Sequence, residues 1–137
     1  MSNLTYNQAK DEILTQFVSV WGTRPAYYQS VDTDRLSANT SFARVDVFHT
    51  AGFQSTLGGA GGRSFTRNGT LTVIIHTPIG KGLQEGYDLA KIVSDAFEGQ
   101  TTNGGVWFRN VSINESGTDG MFSLINVLVD FQYDERK

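Results

Sequence analysis

The chain has 137 residues, a formal charge of −3, 39% hydrophobic residues and no cysteine. The length fits a single domain over 1–137 with a real core. Acids and bases spread along the chain exclude a basic stripe for nonspecific nucleic-acid binding, and the missing cysteines exclude a disulfide framework, a zinc–thiolate site and a thiol nucleophile.

The opening MSNLTYNQAKDEIL has no basic segment followed by an apolar run, and no stretch is long enough to span a bilayer. The expectation is a chain folded in a cytoplasm without membrane contact. Sequons at Asn3, Asn39, Asn68, Asn110 and Asn114 then read as by-products of composition. A first helix is predicted from Tyr6 to about Val18. Thr5 and Gln8 fit a capping box, with Leu4 and Ala9 as a staple. Ala9, Ile13, Phe17, Leu14, Val18 and Trp21 form its apolar stripe, and Gly22 and Pro25 stop it.

Residues 22–40 are polar and turn-rich and read as a connecting loop, in which Tyr27 and Tyr28 could begin a short strand. Ser41–Thr50 is a strand with Ala43, Val45 and Val47 on one face and Phe42, Arg44, Asp46 and Phe48 on the other. A long loop at about 51–66 follows, in which Gly58, Gly59, Gly61 and Gly62 exclude regular structure at the centre. It carries Arg63, the neighbouring Arg67, and two apolar residues, Phe53 and Leu57. Residues 67–77 alternate as the returning strand, with Leu71, Val73 and Ile75 inward. Pro78 and Gly80 end it. A second helix carries Gly86, Leu89, Ala90, Val93, Ala96 and Phe97 opposite Lys81, Glu85, Asp88, Lys91 and Asp95. Val106–Asn114, with Trp107, Val111 and Ile113 on one side, and Met121–Tyr133 form a second hairpin about the turn 115–120. The fold class is therefore α+β: a mainly antiparallel sheet of about four strands, two helices on one face, in the order helix, hairpin, helix, hairpin.

Candidate chemistry is sparse. Antiparallel pairing of 41–50 with 67–77 sets His76 opposite roughly Phe42. His49 is then about seven residues away along the ladder, on the order of 20 Å, whereas a shared metal needs both within about 2 Å of one ion. Gly80-Lys81-Gly82 lacks the other elements of a phosphate loop, with Ile75 and Gly82 where a glycine and a hydroxyl belong. Trp107, Phe108 and Phe42 lack the interleaved basic and glycine residues of an RNA-binding sheet. The reading is of a non-enzyme with no cofactor and no metal. The informative feature is the sheet face opposite the helices. A monomer keeps that face polar, yet here Phe42, Phe48, Ile74, Phe108, Leu124 and Leu128 are expected on it, among Arg44, Asp46, Thr72, Asn126 and Asp130. Apolar anchors with a polar rim suit contact between copies.

The chain resembles the tail terminator proteins of long-tailed bacteriophages over roughly Phe17–Tyr133. The resemblance rests on FARVDVFHT, on the Arg67-Asn68-Gly69 step into TLTVIIHTPIGKG, and on the helix ending DAFEG. It implies a virion protein whose subunits form a hexameric ring that caps the tail tube, ends its polymerisation and offers a surface for joining the head. The implied partners are other copies of the chain, the tail tube protein and a head–tail connector, with DNA passing through the lumen unbound. It makes the hairpin tip with Phe53, Leu57, Arg63 and Arg67 a contact with tube or neighbour, and Arg44 and Asp46 inter-subunit pairs. The alternatives are another head–tail joining or minor tail protein of similar fold, or a small cytoplasmic enzyme or ligand-binding module.

Overall fold

The computed structural model describes residues 4–28, 41–59, 62–80 and 83–137. In chain order the elements are α1 (Tyr6–Trp21), β1 (Ala26–Tyr28), β2 (Phe42–Gln54), β3 (Ser64–Pro78), α2 (Leu83–Phe97), β4 (Trp107–Asp119) and β5 (Phe122–Arg136). The sheet order is β1-β2-β3-β5-β4.

Helix α1 begins where the capping box places it. The Gln8 N–H donates to Thr5 Oγ1 at 3.3 Å and the Thr5 N–H to Gln8 Oε1 at 3.0 Å, so two orphan donors are satisfied locally. It ends at Gly22, whose φ of 69° suits glycine and whose N–H donates to the Val18 carbonyl. Ala9, Ile13, Phe17 and Trp21 are buried; Val18, expected in the stripe, is exposed. In α2 Gly86, Leu89, Ala90, Val93 and Phe97 of the expected stripe are buried and Ala96 is half-buried. Both stripes lie on the sheet face formed by Ala43, Val45, Leu71, Val73, Ile75, Ile125, Val127, Val129 and Phe131, and with them form one core. Burying each large apolar side chain there contributes about 1.5–3 kcal/mol.

The sheet departs from the expected four antiparallel strands: it has five, and it is mixed. β1 runs parallel to β2, with Ala26, Tyr27 and Tyr28 beside Ala43, Arg44 and Val45. The Pro25 carbonyl starts the pairing by accepting the Ala43 N–H at 3.1 Å and the Trp21 Nε1–H at 3.0 Å. Three residues give too little alternation to decide, so the sequence leaves Tyr27 and Tyr28 open between a connecting loop and the start of a short strand, and the structure makes them a strand. The α+β class stands.

The hairpin is longer than its sequence suggests. β2 and β3 pair out to Gln54 and Phe65, so residues 51–54 and 64–66 of the expected loop belong to strands. The side chains of Thr50–Gln54 are all exposed, and β2 and β3 extend together as an arm, with β5 paired along β3 as far as Arg136. Residues 29–40 of the expected loop, residues 60 and 61 of the glycine run, and Lys81 and Gly82 lie outside the described residues.

β4 carries two irregularities in its pairing with β5, between Phe108 and Val111 and between Glu115 and Gly117. Each inserts one residue and reverses the side-chain alternation. Phe108 therefore joins the core against Phe97, ring centroids 4.8 Å apart, and Val111 still faces inward. Trp107 is left exposed. The expected faces of Trp107 and Phe108 are thereby exchanged.

Candidate interaction surface

On the helix-free face, Phe42, Arg44, Asp46 and Phe48 of β2 lie across from His76, Ile74, Thr72 and Thr70 of β3. Those in turn lie beside Leu124, Asn126, Leu128 and Asp130 of β5. The face has three zones. At one end the chain covers itself: Phe42 stacks on His76 at 4.2 Å, meets Tyr27 at 5.4 Å and Phe122 at 5.2 Å, and is buried. Phe42 is thus an internal aromatic contact and not an outward anchor.

Ile74 and Leu128 in the middle rows, among Arg44, Asp46, Thr72 and Asn126, and Leu124 beside His76 in the Phe42 row, are half-buried with no helix over them. At the other end the face is polar. Thr70 Oγ1 donates to Asp130 Oδ1 at 3.1 Å and Asn110 Nδ2 to Asp130 Oδ2 at 3.3 Å. These bonds tie β3, β5 and β4 together around a hollow of about 210 Å³.

Arg44 and Asp46 approach each other within one strand, at 3.9 Å, with Arg44 largely exposed. Phe48 is 47% exposed, Phe53 54% and Leu57 95%. Odd- and even-numbered positions exchange faces at the β2 irregularity between His49 and Ala51, so Phe48, Ala51 and Phe53 all project on the helix-free side. Arg63 sits where the arm closes onto the end of β5. Its N–H donates to the Lys137 carbonyl at 3.1 Å and its carbonyl accepts from the Lys137 N–H at 2.9 Å. The Arg63 Nε is buried with no partner.

Arg67 does not belong to the tip. It lies at the arm's root on the helix side, donates from Nη2 to Glu135 Oε1 at 3.0 Å, and places its guanidinium over Tyr6 and Phe65. His49 packs against the same group: its ring meets Tyr6 at 4.6 Å and Nε2 is 2.6 Å from Tyr133 Oη. Partial desolvation, and then the nearby Arg67 cation, lower the His49 pKa below its usual value. Burial, and then Tyr6, push Tyr133 up to about 12. Both shifts favour neutral partners at this junction.

Sequence reasoning missed Trp107, Ile79 and Met121, all more than half exposed. Ile79 and Met121 meet at the end of the sheet away from the arm, where the Ile79 N–H donates to the Met121 carbonyl at 2.8 Å. The available signal was an apolar residue inside each turn, Pro78-Ile79-Gly80 and Gly120-Met121.

One larger cleft, about 400 Å³, lies between α1 and residues 101–104. Asp11, Glu12, Thr15, Gln16, Ser19 and Asn103 are among its lining residues, and its shape is held by the Gly104 N–H donating to Glu12 Oε1 at 2.9 Å. His49 and His76 both lie away from it, His49 pairing with Gly69 and His76 with Phe42 across the β2–β3 ladder. Among the described residues no cluster of three or more His, Asp or Glu is arranged to hold a metal.

No protein-family profile matches this chain, and no curated protein sequence matches it. Solved structures share its fold. One, designated by a sequence identifier that says nothing of its role, is 18% identical with a TM-score of 0.63, covering 90% of this chain and 94% of its own. Another is a chain from the virion of a native gene transfer agent particle. It is 16% identical with a TM-score of 0.51, covering 95% of this chain and 99% of its own. At such identities the likeness is one of fold.

Proposed function

We propose that this chain is a phage-type virion structural protein, a tail terminator whose copies form a ring that caps the tail tube and presents the surface for joining the head. The observation that carries the reading is the helix-free sheet face. It holds half-buried Ile74, Leu124 and Leu128, and beyond the polar row of Thr70 and Asp130, where Phe48 is exposed, the arm bears exposed Phe53 and Leu57. Apolar residues set among polar ones on an uncovered sheet face suit burial between copies, and a head-to-tail contact closes into a ring when the rotation permits. The fold shared with a chain of the gene transfer agent virion, over nearly the full length of both, supports the same reading. A cap performs no bond chemistry, so the reading assigns no catalytic residue. The tube or a neighbouring copy meets the arm at Phe53, Leu57 and Arg63, and a connector docks on the opposite ring surface. DNA passes through a lumen of mildly acidic subunits, which do not bind its phosphates.

Light scattering and negative-stain microscopy of the purified protein at micromolar concentration test this. The expected result is a six-fold ring that shortens tubes when added to polymerising tube subunit. A monomeric mass across the micromolar range would refute self-assembly, and rings without effect on tube length would refute the capping role.

A further inference from the structure

The two edges of the sheet are unequal in how they are protected. β1 pairs only with Ala43–Val45 of β2. Beyond the irregularity at Thr50, the described backbone shows no partner on the outer side of Ala51–Gln54. This stretch has no charge, no proline and exposed side chains, so past the irregularity at Thr50 it lacks the charges and prolines that keep an edge from pairing. On the far edge, Gln100 and Thr101 cover the start of β4: the Phe108 N–H donates to the Gln100 carbonyl at 3.3 Å and Thr101 bridges to Trp107. The two irregularities then bracket one regular run, Val111–Glu115. Each edge thus includes one short stretch of similar length, Ala51–Gln54 and Val111–Glu115.

The directions of the two stretches are complementary. β2 is antiparallel to β3, β3 to β5 and β5 to β4, so β4 runs opposite to β2. When copies repeat head to tail with the sheet continued, β4 of one copy meets β2 of the next as an antiparallel pair. That is the better-bonded arrangement, and strand addition at an open edge is an established mode of recognition.

We propose that Val111–Glu115 of one copy adds as a strand to Ala51–Gln54 of the next, so that the β2–β3 arm is the joint between neighbouring subunits. The inference rests on the self-assembly reading above and names its joint. Directly paired residues share a sheet face. Ser112 and Asn114 lie on the helix-free face opposite Leu128 and Asn126, the same face as Ala51 and Phe53. Ile113, opposite Val127, lies on the other.

The natural chain has no cysteine, so cross-links report only introduced pairs. Ala51→Cys or Phe53→Cys is combined with Ser112→Cys or Asn114→Cys, all exposed positions, and oxidised. At least one face-matched pair is expected to give a ladder of covalent multimers on a non-reducing gel, and Ala51→Cys with Ile113→Cys only monomer. In the unsubstituted protein, amide hydrogen exchange at 51–54 and 111–115 is expected to slow at least tenfold between dilute monomer and assembled ring. Rings that form with no face-matched ladder and no slowing would overturn the strand joint and leave the terminator reading standing. A protein that stays monomeric would overturn both.

Discussion

Gly69 is the residue whose replacement the packing most directly forbids. It pairs with His49 on one side and Phe131 on the other. A Cβ built on it would lie 2.3 Å from the Phe48 carbonyl oxygen and 2.4 Å from Phe131 Cζ. Gly69 is not among the glycines with positive φ, so the objection to a side chain is one of space and not of backbone conformation.

Gly69→Ala therefore has to displace a backbone carbonyl in β2 and a ring that is 1% exposed. Overpacking of this kind costs about 1–3 kcal/mol. With a urea m-value of about 2 kcal/mol/M, the unfolding midpoint falls by roughly 0.5–1.5 M. The double variant Gly69→Ala, Phe131→Leu adds a check. Shrinking the ring relieves one of the two clashes, so the pair is less destabilised than the sum of the singles, with a coupling of roughly 0.5–3 kcal/mol. The Phe48 carbonyl still blocks full recovery. Urea unfolding followed by tryptophan fluorescence measures all three variants. A Gly69→Ala protein within about 0.5 kcal/mol of the parent would refute the close approach of ring and glycine.

The other predictions are independent of this one. Gly86→Ala in α2 gains up to about 1 kcal/mol of helix propensity, but its Cβ would sit 2.6 Å from Ile125 Cδ1 in the core. The single variant should lower the melting temperature, and Ile125→Val, which removes that methyl, should make the same glycine change stabilising. Phe108→Ala should cost about 3–5 kcal/mol and Trp107→Ala less than about 1 kcal/mol in chemical unfolding; the reverse order would show that β4 lacks the irregularity after Phe108. At His49 the native pKa lies below that of the unfolded chain, so the unfolded state binds more protons. Stability held above about pH 6.5 is then lost as the pH falls through that value. His49→Gln should flatten the change in urea midpoint between pH 7.5 and 5.5, and an unchanged difference would remove His49 from the junction.

The sequence by itself determined the elements whose cause is local. The Thr5–Gln8 box and Gly22 delimit α1. The spacing of Leu89, Val93 and Phe97 fixes the buried side of α2, and the alternation of Leu71, Val73 and Ile75 with Ile125, Val127 and Val129 fixes the inward faces of the central strands. The Phe42–His76 register followed from the hairpin because β pairing has a strict period of two. Of the surface residues, Phe53 and Leu57 were legible as apolar residues in a segment without a helical or core pattern. Tertiary structure alone decided the rest, because its causes lie far apart in the chain. β1 exists through its parallel contact with β2 and the Pro25 carbonyl. An inserted residue in β4 buries Phe108 and exposes Trp107 although the alternation argues otherwise. Arg67, legible only as a cation near a loop, is committed to Glu135, a residue 68 positions away. Local periodicity records which way a side chain points only while the ladder stays regular. Where strands bulge or meet across long connections, the partner strand decides.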